Sequence, residues 1–177
     1  VEMPEKFTLA AGDGDVFRNF VIPTPDGPRH YVHTVELQPG NSKVVHHAVL
    51  MIDESRSSRE LDQQDPEVGY YSSMDSSGGA HSPAGQFLGW TPGLVPQRGE
   101  ENLAWSLRGG TDFVLQLHML PGSELEDVRA SIGLYFADRP PKEQAYALRL
   151  GSIDIDVAAG DPAYIVEDSY VLPVDVR

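Results

Sequence analysis

Glycine and proline recur so often along this chain that no helix of ordinary length fits between them. With 17 Gly and 14 Pro in 177 residues, the uninterrupted stretches are short, and where they show a period it is the two-residue alternation of a strand. Segment 16–22 alternates weakly before Pro23. Segment 29–37 alternates cleanly, with Tyr31, His33, Val35 and Leu37 on one face and Val32, Thr34 and Glu36 on the other. Segments 44–52, 103–107, 112–120, 130–136, 146–157 and 164–172 are the further strand-like runs. Short strands at this spacing predict an all-β fold, an antiparallel β-sandwich of jelly-roll type with very little helix. The one helix expected begins at Ser57, where Ser57-Ser58-Arg59-Glu60 has capping-box spacing, and stops at Pro66. Residues 69–86, rich in Gly, Ser and Tyr and without period, read as an exposed loop carrying His81.

Charge and composition remove several function classes. The 27 acidic and 13 basic residues give a formal charge of −14, which repels phosphate backbones and anionic membrane surfaces, so nucleic acid is not an expected partner. No apolar run approaches the roughly 20 residues that span a bilayer, and no membrane association is expected. Cysteine is absent, which excludes disulfides, thiolate metal sites and cysteine nucleophiles. The chain opens on Val1 rather than Met and reads as processed or cut from something longer.

The chemistry sits in two apolar runs. Val44-Val45-His46-His47-Ala48-Val49-Leu50-Met51-Ile52 holds two adjacent imidazoles, and Phe113-Val114-Leu115-Gln116-Leu117-His118-Met119-Leu120 holds a third. Burying an imidazole among apolar residues costs a few kcal/mol unless both ring nitrogens find partners, and a metal together with an acceptor behind the ring satisfies both. Period-two geometry places Val114, Gln116 and His118 on one face of their strand. His46 and His47 point to opposite faces of a regular strand, so they reach one ion only if that strand is bulged or strongly twisted, or if the rings bind through different nitrogens. Spacing alone leaves a plainer alternative open: one histidine hydrogen-bonded in the core, the other on the surface. Three imidazoles without a thiolate suit copper or zinc. His30 and His33 are read as structural or surface residues, and His81 as a weaker candidate ligand. Asp53 and Asp112 could orient an imidazole or lie exposed at loop ends, while Met51 and Met119 are expected in the core.

Val45-His46-His47-Ala48, Phe87-Leu88-Gly89-Trp90-Thr91-Pro92-Gly93 and Gly110-Thr111-Asp112-Phe113-Val114-Leu115-Gln116-Leu117-His118 together resemble the N-terminal half of the copper type II, ascorbate-dependent monooxygenases, the family of peptidylglycine α-hydroxylating monooxygenase and dopamine β-monooxygenase. The resemblance covers about Phe17 to Pro141. It implies one copper ion per chain on His46, His47 and His118, with Gln116 matching a family glutamine near that copper and tuning it. It also implies an electron-transfer role, ascorbate as the small-molecule reductant of the parent enzyme, and an extracytoplasmic (periplasmic or secreted) location. Substrate chemistry in that family belongs to a second copper on a His-x-His motif and a methionine, which this sequence lacks; whether the chain counts as an enzyme is therefore open, and the fragment alone is not expected to be catalytically competent. The missing cysteines, and Met119-Leu120 where the animal enzymes have Tyr-Gly, mark a diverged, bacterial relative. Residues 1–142 are then the copper-binding sandwich. Residues 143–177 are the opening strands of a second, truncated sandwich or edge strands packing on the first, with self-association expected through them or pairing with the remainder of the parent chain. The competing readings are a non-catalytic β-sandwich module that binds metal, sugar or protein in a larger extracytoplasmic protein, and a zinc hydrolase, for which no convincing acid lies near His118.

Overall fold

A computed structural model describes residues 1–72, 78–96, 98–148, 150–172 and 175. In chain order the strands are β1 (Phe7–Leu9), β2 (Val16–Pro23), β3 (His30–Gln38), β4 (Val45–Asp53), β5 (Tyr70–Tyr71), β6 (Leu88–Trp90), β7 (Trp105–Leu107), β8 (Asp112–Met119), β9 (Glu126–Val128) and β10 (Ser131–Phe136). One α-helix, α1 (Ser58–Gln64), follows β4. The architecture is the expected all-β sandwich. All strand pairs are antiparallel and form sheets of order β5-β2-β8-β4-β6 and β10-β3-β7, with a β1-β9 ribbon.

The two larger sheets meet through one core. Phe20, Ile22, Ala48, Leu50, Ile52, Phe113, Leu115 and Leu117 from one side pack with Val32, Trp105, Leu107 and Ile132 from the other. Strand β8 is buried at every position, because both of its faces are covered. Its odd-numbered residues enter this core. On its outer face Val114 joins Val21, Met51 and Tyr70 in a second, smaller cluster. Loop 65–69 leads into β5 at the edge of the same sheet, held by Arg18, which donates to the carbonyls of Val68 and Gly69 and pairs with Asp65 at 2.8 Å and Glu67 at 3.0 Å. Gly69 has φ +74, and a Cβ there would come within 2.5 Å of the Asn19 carbonyl oxygen, so the loop can lie this close only with glycine.

Two strands depart from regular pairing. In β3 the register against β10 slips between Tyr135 and Phe136, which pair with Thr34 and Val32. His33 is the extra residue, and Val32 therefore turns inward with Val35 and Leu37 instead of opposite them. The second slip, in β4, falls at the histidine pair.

The helix is capped differently from the capping-box expectation. Ser57 makes no side-chain cap; the fully buried Asp53 takes that part, accepting from the backbone N–H groups of Ser55, Arg56 and Ser58 and from the hydroxyls of Ser55, Ser57 and Ser58. Neither Asp53 nor Asp112 is exposed or orients an imidazole. Asp112, opposite Asp53 in the ladder, is also fully buried and receives two bonds from Arg59 of α1, at 2.6 and 2.7 Å.

By its internal contacts the chain divides into Val1–Tyr146 and Ala147–Arg177. Segments 146–157 and 164–172, expected as strands, form none among the described residues. Alternation makes a segment competent to pair, and a ladder still needs a partner. Among the described residues no helix is long and apolar enough to cross a membrane.

Burial pushes the Asp53 carboxyl upward, but the bonds from Ser55 and Ser58 outweigh it and hold its pKa at about 2, against 3.8 unperturbed. A carboxyl depressed on folding adds stability above its unfolded pKa and loses it as pH falls through the folded one. Asp53→Asn should therefore cost about 2 kcal/mol at pH 7, with the gap to wild type closing between about pH 4 and 2 in denaturant titrations.

Candidate metal centre

The register of the five-stranded sheet lays three rows across its outer face. Val21, Val114 and Met51 form the apolar row; Asn19, Gln116 and Val49 the next; Phe17, His118 and His47 the last. Between Val45 and His47 the pairing of β4 with β8 slips by one residue. Val45 keeps its inward position at 1% exposure, and His46, the extra residue, swings to the side of His47. The bulge that the sequence required for a shared site is present.

The result is a convergence of one ring atom from each histidine. The Nδ1 atoms lie 3.2 Å apart for His46 and His118, 3.4 Å for His46 and His47, and 3.1 Å for His47 and His118. Nitrogens each about 2.0–2.1 Å from one ion are separated by roughly 3.3–3.6 Å in tetrahedral or trigonal arrangement, close to these spacings. The residues present thus fit a single metal ion bound through three Nδ1 atoms. Among the described residues this is the one group of three or more His, Asp or Glu side chains arranged to hold a metal.

Exposure is graded across the group. His118 is buried, His47 half-buried and His46 exposed. The Phe17 ring stacks on His118 at a centroid distance of 4.2 Å and an interplanar angle of 7°, which fixes the plane of that imidazole. Behind the triad, Gln116 is buried on the His118 face as period two requires, and its amide and that of Asn19 donate to Ser72 Oγ at 3.1 and 2.6 Å. His118 Nε2 is buried without a hydrogen bond; Asp15 Oδ2 stands 3.4 Å away, outside good hydrogen-bond geometry.

The remaining histidines stay apart from the cluster. His30 packs on Phe136, His33 Nδ1 contacts Thr34 Oγ1 at 2.8 Å, and His81 is tied through its backbone to Ile52. Met51 and Met119 are buried in the two apolar clusters, as expected. Sequence reading missed Asp15, Phe17 and Ser72. Phe17 and Asp15 share a parity on their strand, but the register that sets them beside His118, about a hundred positions away, leaves no local signal.

Fold and site define an all-β protein with a three-histidine cluster at the rim of its larger sheet. No protein-family model matches this chain, and no curated protein matches it.

Burial, and then the charges of His118 and His46, lower the His47 pKa below its ordinary 6.5. The unfolded chain therefore takes up this proton before the folded one does, and stability declines as pH drops below about 6.5. Metal-free protein should lose stability as pH falls below about 6.5. His47→Asn should flatten that part of the profile, as read from denaturant midpoints.

Proposed function

We propose that the chain is a copper-binding domain that acts as the electron-transfer half of a two-copper, ascorbate-dependent monooxygenase. The observation that carries this reading is the approach of three Nδ1 atoms to within 3.4 Å of one another. Three lone pairs at that spacing repel unless a cation or proton lies between them, and an all-imidazole set without thiolate suits copper or zinc. Between the two, the motif resemblance to the monooxygenase family is what selects copper.

Copper, when bound, supplies a one-electron couple. His46, His47 and His118 hold it through Nδ1. The row beneath, with buried Asn19 and Gln116 both bonded to Ser72, limits how far the rings can shift, while exposed His46 leaves one side open to a small reductant such as ascorbate. With one such site among the described residues, oxygen and substrate chemistry belongs to a second copper elsewhere in the parent enzyme. An extracytoplasmic location accompanies the same reading.

Titration should find one copper per chain, lost in the His46→Ala/His47→Ala/His118→Ala variant; undiminished tight binding by that variant rules the site out. At 100 times its dissociation constant, an ion that binds only the folded state adds about 2.7 kcal/mol. For a domain of this size that raises the melting temperature by roughly 5–11 °C. Ascorbate should bleach the Cu(II) spectrum.

Gln116→Leu is expected to shift copper affinity or reduction potential while the circular-dichroism spectrum and metal-free melting stay close to wild type. Unchanged copper behaviour would remove Gln116 from the site.

A further inference from the structure

Binding through Nδ1 places a demand on the far side of each ring. A neutral imidazole carries one proton, so a histidine that presents its Nδ1 lone pair to an ion holds its proton on Nε2. For exposed His46 and half-buried His47 water is at hand to accept that N–H. For His118 it is not, since its Nε2 is buried and has no hydrogen bond, a state that costs about 1–3 kcal/mol if left unrelieved.

We propose that Asp15 is the positioning residue of the metal centre: its carboxylate accepts the Nε2 proton of His118, fixing the tautomer that aims Nδ1 at the ion and lending the ring negative charge. This rests on the copper-site reading above. Asp15 Oδ2 lies 3.4 Å from His118 Nε2. The placement follows from the fold. The turn at Gly14, with φ +107, delivers Asp15 to the start of β2, where Val16 pairs with Met119 and Phe17 with His118. Asp15 and Phe17 are two apart and share the outer face, so Asp15 is a diagonal cross-strand neighbour of His118, within side-chain reach. Its side chain is 57% exposed, free to move the few tenths of an ångström that complete the bond. Among the described residues it forms no other ion pair. Phe17 sets the plane of the ring, and Asp15 sets which nitrogen bears the proton.

A carboxylate behind a ligating imidazole raises the basicity of that ligand and favours the more highly charged ion. Removing it should weaken Cu(II) binding more than Cu(I) binding. An exposed residue used only to shape a turn would have no such preference between oxidation states.

The test is competitive titration of Cu(II) and Cu(I) against chelators, with voltammetry, on wild type, Asp15→Ala and Asp15→Asn. For Asp15→Ala we expect Cu(II) affinity to fall 10–100-fold. A loss for Cu(II) ten times larger than for Cu(I) raises the reduction potential by about 59 mV. Asp15→Asn keeps an acceptor oxygen without the charge and should fall between the two. Metal-free melting should fall modestly, since the buried Nε2 loses its acceptor, and nitrogen NMR of the metal-free protein should show the Nε2–H tautomer of His118 in wild type and a tautomer mixture in Asp15→Ala. Affinity and potential equal to wild type in Asp15→Ala would overturn the proposal while leaving the copper site standing. An equal loss for both oxidation states with the Nε2–H tautomer of His118 retained in Asp15→Ala would overturn it in favour of a turn-shaping role. Absence of copper binding by wild type would remove the copper-site reading itself, and the role of Asp15 with it.

Discussion

The pairing of β4 with β8 is the constraint on which the rest depends. Strand β8 is buried on both faces, so a slip of one residue would drive Phe113, Leu115, Leu117 and Met119 out of the core and Gln116 and His118 into it. Full burial of those four side chains contributes about 1.5–3 kcal/mol each. That total exceeds the few kcal/mol that any one polar residue on the opposite face can cost. Apolar packing therefore decides the register, and the polar residues are carried to wherever that register puts them.

It puts like groups together at both ends of the strand pair. At one end Asp53 faces Asp112; at the other His47 faces His118. The acidic end is closed by the protein itself, through the donors of the Ser55–Ser58 turn and the two bonds from Arg59. The imidazole end has no such closure. Its nitrogens face one another, and the nearest acid, Asp15, stands behind His118 rather than between the rings. This difference separates a polar pair satisfied by the protein's own donors from a group of three imidazoles whose geometry could hold a metal ion.

Much of this was legible in sequence because period two survives any tertiary context. The face of β8 carrying Val114, Gln116 and His118 was read correctly, as were the segments of β2, β3, β4, β8 and β10. Burial of Asp53 and Asp112 was not legible: an acid at a strand end is usually solvated, and only the fold reveals that α1 covers them. The bulge at His33 is also invisible locally, and it turned Val32 to the face that strict alternation denied it. Segments 146–157 and 164–172 failed in the opposite direction, since alternation was present and no ladder forms among the described residues.

The bulge at His46 explains why adjacent histidines serve here where alternate ones would be the simpler choice. On a regular strand, residues two apart share a face but stand about 7 Å apart along the chain, at 3.3–3.4 Å rise per residue. Directly opposite residues on neighbouring strands are closer, with Cβ atoms about 4.5–5.5 Å apart. The site takes that closer pair, His47 with His118, and adds its third ring from the inserted residue, which gives up a regular ladder position for the purpose. Ring centroids of 4.6, 5.0 and 5.5 Å follow. Because the inserted residue lies at the strand's outer end, His46 is also the exposed member. One irregularity thus brings the three imidazoles together and leaves the exposed one facing solvent.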